Sequence, residues 1–140
     1  MTTARDIMTP APQCVFEDDT LTEAARLMRD LDVGALPVCR RGRKLKGMVT
    51  DRDIVVKCIA GGGDPSTATA GSLVAGVPVT VDADEDAYFV LEAMKSNQVR
   101  RVPVIADDDL VGIISQADVA VLLAPHYAGQ TVAEISAAAR

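Results

Sequence analysis

The stretch GMVTDRD, from Gly47 to Asp53, returns later as GIISQAD, from Gly112 to Asp118. Each copy runs glycine, two apolar residues, a hydroxyl residue (Thr50, Ser115), and an aspartate three places on (Asp53, Asp118), ahead of an apolar helical pattern. An internal repeat constrains a chain more than any single element, because one supersecondary unit must be built twice. The echo extends well beyond these seven residues. At an offset of 66 residues Pro12 falls on Pro78, Val15 on Val81, Asp18 on Asp84, Met28 on Met94, Val33 on Val99, and Pro37-Val38 on Pro103-Val104. Dropping one residue between the second and third strands then brings Leu45 onto Leu110, Gly47 onto Gly112 and Val56 onto Val121. The matches fall at turn and core positions in one register. The chain therefore divides into a first unit over 4–60, a linker over 61–69 (GGGDPSTAT), a second unit over 70–123 and a tail over 124–140.

Each unit reads as strand, helix, strand, strand, helix. Thr3 to Met8 is a short lead-in helix, ended by Pro10 and Pro12, which cannot continue it. Gln13 to Phe16 is a strand, and Thr20 with Glu23 fits a capping box. Leu21, Ala24, Ala25, Leu27, Met28 and Leu31 recur at helical spacing, and Gly34 breaks that helix. A hairpin follows, Ala35–Cys39 and Lys46–Thr50 around Gly42, and then a helix with Ile54, Val55 and Ile59 as its apolar residues. The second copy repeats the order: a strand at Val79–Val81, a helix over Asp84–Ser96, a hairpin over Val102–Ile114 turning at Asp107-Asp108-Asp109, and a helix over Gln116–Leu123. After Pro125, TVAEISAAAR fits one further short amphipathic helix. The expected class is α/β (α+β). Each half is too small to be comfortably stable alone, so the halves are expected to share an interface.

Composition narrows function. Aromatics are 3% of the chain, so the core must be aliphatic. The net charge of -6 opposes general nucleic-acid binding, since phosphates would repel it. Lacking a long apolar run or a secretory pattern, the chain reads as cytoplasmic, with no membrane insertion. Three cysteines without a Cys-x-x-Cys spacing suit a reducing compartment and give no zinc pattern. His126, the single histidine, cannot make a metal site by itself, and no nucleophile–base pair or phosphate-cradling glycine loop is visible. The chain reads as no enzyme and as needing no metal or cofactor. Its basic residues cluster: Arg40, Arg41, Arg43 and Lys44 read as a solvated hairpin turn, and Arg100-Arg101 as a second group.

Taken together, the lead-in ARDIMTP, the strand starts ALPV and RVPV, and the two G-h-h-[ST]-x-x-D stretches (h apolar) resemble a tandem pair of CBS (cystathionine beta-synthase) domains, often called a Bateman module. The resemblance runs from about Ala4 to Leu123. The opening MTTARDIM and the ATAG linker narrow it toward the stand-alone, stress-associated CBS pairs of mycobacteria. It implies two βαββα repeats packed with pseudo-twofold symmetry, a homodimer, and sensing of an adenosine nucleotide (AMP, ADP, ATP or a related adenosyl ligand) in clefts between the repeats. With no attached catalytic domain, the output would pass to a separate effector protein.

The resemblance assigns Thr50 with Asp53, and Ser115 with Asp118, to ligand ribose and phosphate; the alternative is that both pairs are helix caps. It assigns Arg100 and Arg101, whose counterparts are Gly34-Ala35, to ligand phosphate; the alternative is a salt bridge to Asp53, Glu92 or another acid. The backbone at Val15 and Val81 would flank the base, without an aromatic for stacking. Gln116 in place of Asp51, and Ser115 in place of a threonine, depart from the first copy. Cys14 and Cys39 fall near strand ends on neighbouring strands and offer either a disulfide or two small buried residues; Cys58 reads as packing. The competing function is a ligand-independent dimeric, stress-associated interaction protein, braced by a Cys14–Cys39 disulfide.

Overall fold

The computed structural model describes residues 2–122 and 135. Leu123, Pro125, His126 and the expected tail helix, apart from Ile135, lie outside the described residues. In chain order the elements are α1 (Ala4–Ile7), β1 (Thr9–Pro10), β2 (Val15–Phe16), α2 (Leu21–Leu31), β3 (Ala35–Arg40), β4 (Lys44–Thr50) and α3 (Asp51–Asp53), which continues as a π-helical segment, Ile54–Ile59. After a 3-10 turn at Ala70–Leu73 come β5 (Val81–Asp82), α4 (Ala87–Asn97), β6 (Arg101–Ala106), β7 (Asp109–Ser115) and α5 (Gln116–Leu122). No described helix is long and apolar enough to cross a membrane.

Two compact units form, one from Gln13–Pro78 and one from Met1–Pro12 with Val79–Arg140. They cut across the repeats, because each repeat's lead-in packs into the unit of the other. In the first unit, β2 pairs parallel with β3 and β3 antiparallel with β4. The second unit repeats this with β5, β6 and β7, and adds β1 antiparallel to β7 through Thr9 opposite Ile113 and Pro10 opposite Gly112. Two glycines make the exchange of lead-ins possible. A Cβ on Gly112 would overlap Met8 Sδ and approach Met8 Cγ to 2.7 Å, and a Cβ on Gly47 would overlap Val74 Cγ1. Met8 and Val74 are counterparts in the repeat, as are the two glycines.

The cores are aliphatic, as the composition requires. Val15, Leu21, Ala24, Met28, Leu36, Val38, Val49 and Ile54 are buried together in the first unit. Val81, Val90, Leu91, Met94, Val102, Val104, Ile114 and Val119 are buried together in the second, with Ile135 of the tail wholly enclosed among them. The three described aromatics, Phe16, Tyr88 and Phe89, are all about half exposed.

The structure corrects several local expectations. Gly34 does not end α2. Asp32 does, in the left-handed conformation at φ 56, with Val33 N–H donating to Met28 O at 3.0 Å. Gln98 at φ 54 closes α4 the same way, so the two repeats share a cap that uses no glycine. Val55 and Ile59 face solvent, and the buried positions of that segment are Ile54 and Cys58. Ala25 is exposed as well, leaving Leu21, Ala24 and Met28 as the buried face of α2. α4 starts after Asp86, whose carboxylate accepts from Tyr88 N–H, rather than at Asp84.

The one-residue gap in the repeat lies in the hairpin turn. Arg40 pairs with Lys44 across three residues, while Ala106 pairs with Asp109 across two. Asp107 (φ 51) and Asp108 (φ 67) make that tighter turn, the pattern of a two-residue loop that matches strand twist.

Candidate functional site

Each repeat motif folds into one reciprocal arrangement at the end of its hairpin. In the second repeat Ser115 closes β7, its backbone N–H donates to Asp118 Oδ2 at 2.8 Å, and Asp118 N–H donates to Ser115 Oγ at 3.2 Å. In the first, Thr50 N–H donates to Asp53 Oδ2 at 3.1 Å and Asp53 N–H donates to Thr50 Oγ1 at 3.0 Å. Both are capping boxes with aspartate in the acidic position, so the spacing has a structural use in both copies. Capping occupies one carboxylate oxygen and leaves the other. Asp53 Oδ1 receives Lys57 Nζ at 3.3 Å; Lys57 has no cationic counterpart, since Leu122 stands at that position.

Sheet register brings the second basic group to this place. Arg101 is opposite Ser115 across β6 and β7, and Gln116 N–H donates to Arg100 O at 2.9 Å. Both arginines are exposed, and among the described residues neither forms an ion pair. The acids expected to neutralise them are engaged by lysines: Asp53 by Lys57, and Glu92 by Lys95 at 3.6 Å. In the first repeat Ala35 is opposite Thr50 and Asp51 N–H donates to Gly34 O at 2.9 Å, the same frame without the cations. There Asp51 leans over Gly34, where a Cβ would meet its Oδ2 at 3.1 Å.

Gln116, the counterpart of Asp51, holds its Oε1 buried with no hydrogen-bond partner among the described residues. An unmet buried acceptor costs about 1–3 kcal/mol, which a donor brought by a ligand would recover. The substitution of an amide for an acid was visible in the sequence, but only the packing reveals the unmet acceptor.

Val15 and Val81 have their side chains buried in their own cores. They are opposite Val38 and Val104, three residues along the strand from Ala35 and Arg101, or about 10 Å at the usual strand rise. The structure therefore does not gather their side chains with the Ser/Thr–Asp motifs.

Cys14, Cys39 and Cys58 are free thiols. Burial pushes the Cys39 thiol up to about 12, helped by a hydrogen bond and charge from Cys14 and opposed by Arg43. The Cys14 and Cys39 side chains are thus direct neighbours, while Cys58 packs in the core. Among the described residues no group of three or more His, Cys, Asp or Glu side chains is placed to hold a metal. Cys14 and Cys39 give two sulfur donors, short of the four ligands of structural zinc.

With this geometry in view, the profile of the CBS domain matches residues 4–59 and 71–125. The chain belongs to the CBS domain family. Hypoxic response protein 1 of Mycobacterium tuberculosis is 51% identical to this CBS pair over 135 residues, covering 96% of this chain and 94% of that protein. A crystal structure of Hypoxic Response Protein I with two coordinated zinc ions superposes with a TM-score of 0.82 at 52% identity, covering 88% of this chain and 100% of that one. A crystal structure of CBSX2 in complex with AMP superposes at a TM-score of 0.74 with 25% identity, over 86% of this chain and 95% of that one. The mycobacterial flavour of the opening and linker is thereby met, and the pair of CBS repeats is the fold.

Proposed function

We propose that this chain is a non-enzymatic regulatory CBS pair whose second repeat binds an adenosine nucleotide or a related adenosyl compound. The observation that carries the reading is the set gathered by the β6–β7 register: Arg101 opposite Ser115, Arg100 bonded through its carbonyl to Gln116, and both guanidiniums without a described acid. Guanidinium grips phosphate through paired hydrogen bonds. The second oxygen of Asp118 accepts ribose hydroxyls, and a ligand donor meets Gln116 Oε1. AMP bound by CBSX2 supports this ligand class. Val15 and Val81 would flank the base only through backbone, so without aromatic stacking the affinity is modest. Thr50 and Asp53 form the weaker site, since Lys57 already neutralises Asp53 and no arginine stands at Gly34-Ala35.

In this reading the ligand is sensed rather than converted, and the response passes to a separate effector protein. The protein acts as a homodimer, associating through exposed apolar helix faces such as Val55, Val56 and Ile59. A reducing cytoplasm suits its free thiols.

A second reading rests on the thiol pair. Cys14 and Cys39 are neighbours, and with Cys39 buried and held protonated the less buried Cys14 would open an exchange in which each thiol gives up a proton and the pair two electrons to a disulfide oxidant. The protein would then be a ligand-independent, stress-associated interaction module braced in its first unit.

Thermal unfolding against AMP, ADP, ATP, NAD and S-adenosylmethionine, with and without reductant, separates the two. A ligand at a hundredfold its Kd adds about 2.7 kcal/mol, or about 9 °C for a chain of this length. Asp118→Ala and Arg101→Ala should abolish that rise. No rise with any of the five, together with a lower midpoint in reductant, would replace the sensor reading with the second.

A further inference from the structure

At the opposite end of the first hairpin from Thr50 lies a groove of about 540 Å³, lined by Phe16, Glu17, Asp18, Cys39, Arg40, Arg41 and Lys44. Its volume falls in the range of small-molecule sites. All of its lining belongs to the first unit. The Glu17 carboxylate is shared between Lys46 Nζ at 3.1 Å and Arg40 Nε at 3.5 Å, so it is neutralised from two sides. Glu17 is also anchored, its N–H donating to Cys39 O at 2.9 Å. Arg41 is exposed in this lining, beside the Phe16 ring, which is 48% exposed, with Asp18 also exposed at the rim.

The other repeat is an internal control for what the fold itself demands. The counterparts of Phe16, Cys39, Arg40, Arg41 and Lys44 are Asp82, Ile105, Ala106, Asp107 and Asp109. Strand pairing is the same in both, with Phe16 opposite Cys39 and Asp82 opposite Ile105. The backbone thus tolerates the reversed charge and no aromatic at all. A basic group and an exposed ring at this end are a property of the first repeat, not of the supersecondary unit.

We propose that this groove is a second binding site, distinct from the Ser115–Asp118 set, for a small molecule that carries a phosphate or carboxylate on a planar ring. Arg41 with Arg40 receives the anion through charge-assisted hydrogen bonds. Phe16 receives the ring by stacking or edge contact. Asp18 at the rim disfavours ligands with a second anionic group beyond the ring.

The test is an amide chemical-shift titration of the full chain with phenyl phosphate, inorganic phosphate and phenol. Phenyl phosphate should saturate shifts at residues 16–18 and 39–44 at lower concentration than either fragment. Arg41→Ala should weaken it by about tenfold or more, the worth of one charged hydrogen bond, and Phe16→Ala should erase its advantage over inorganic phosphate. Both side chains are exposed, so the variants keep the fold, which the remaining spectrum verifies. The same shifts must persist in Asp118→Ala, whatever that variant does to nucleotide binding. Shifts confined to residues 100–118, equal response to phenyl phosphate and inorganic phosphate, or indifference to Arg41→Ala would each overturn the proposal.

Discussion

Replacing Gly112 by alanine tests how the two units are assembled from the two repeats. The new methyl would overlap Met8 Sδ and come within 2.7 Å of Met8 Cγ and 2.9 Å of Met8 Cβ. Rotating the flexible thioether away relieves the first two contacts but not the third, because Cβ is fixed to the backbone. Overpacking of this kind costs about 1–3 kcal/mol. Removing a strand glycine returns about 0.5–1 kcal/mol. The net loss is about 1–2 kcal/mol, or about 3–7 °C in Tm at the entropy typical of this chain length. Met8→Ala alone should lose about 1–2 kcal/mol, since its side chain is only partly buried. The double variant should cost less than the sum by about 1 kcal/mol, because truncation removes the Sδ and Cγ whose displacement from their packing is part of the Gly112→Ala cost, while the Cβ contact stays. In contrast, Met8→Ala and Gly47→Ala should add to within about 0.5 kcal/mol, since the overlap at Gly47 is with Val74. Urea unfolding of the parent and the five variants reads both couplings. Coupling of Met8 to Gly47 instead of Gly112 would mean that each lead-in packs on its own repeat, and the exchange described above would be wrong.

Three further outcomes follow from the site. Ser115→Ala and Thr50→Ala should each lose about 1 kcal/mol of stability, the worth of a helix cap; urea midpoints equal to the parent would dismiss the capping boxes. The Cys39 thiol is held up to about 12 against an unfolded value of 9.0. Its contribution is therefore complete below about pH 9 and is lost as pH rises toward 12; a Cys39→Ala variant should show a shallower decline over that window by denaturant titration. Lys57→Ala should change stability by less than about 0.5 kcal/mol, as an i,i+4 helix pair whose lysine is half exposed is weak, yet raise nucleotide stoichiometry by calorimetry toward two per chain; a stoichiometry still at one would detach Lys57 from any role at Asp53.

Most of the fold was legible because repetition tests itself. A register that aligned Pro37-Val38 with Pro103-Val104 and both glycines had to describe strands and turns, and it located the missing residue in the hairpin, where the structure has a three-residue and a two-residue turn. What the sequence concealed was geometry with no local signature. Asp32 and Gln98 close helices in a conformation usually given to glycine, so the residue pattern puts the stop at Gly34, two residues beyond the true cap. In the π-helical segment Ile54–Ile59 it is Ile54 and Cys58 that are buried while Val55 and Ile59 are exposed, a facing that apolar identity alone does not give. The exchange of lead-ins was hidden because pattern arguments compare positions in register, whereas Met8 packs on the glycine of the other repeat. The Thr–Asp and Ser–Asp motifs could be recognised as either caps or ligand groups, and the structure gives the capping bonds outright.

A capping role and a binding role for these aspartates are compatible, since one carboxylate has two oxygens. The cap orders the carboxylate, fixing its rotamer against the backbone of the preceding strand end, and a side chain ordered in advance loses less entropy when it meets a ligand. Divergence between the repeats then determines what each carboxylate can do. In the first repeat Lys57 meets the outer oxygen of Asp53, and Asp51 occupies the space over Gly34. In the second, Arg101 is opposite Ser115, Arg100 is bonded through its carbonyl to Gln116, and the Gln116 amide oxygen is unmet among the described residues. At the far hairpin ends the asymmetry reverses, with cations and an aromatic ring in the first repeat and aspartates in the second. One backbone unit used twice thus presents two different chemical surfaces, and the positions where the copies disagree are the ones to mutate first.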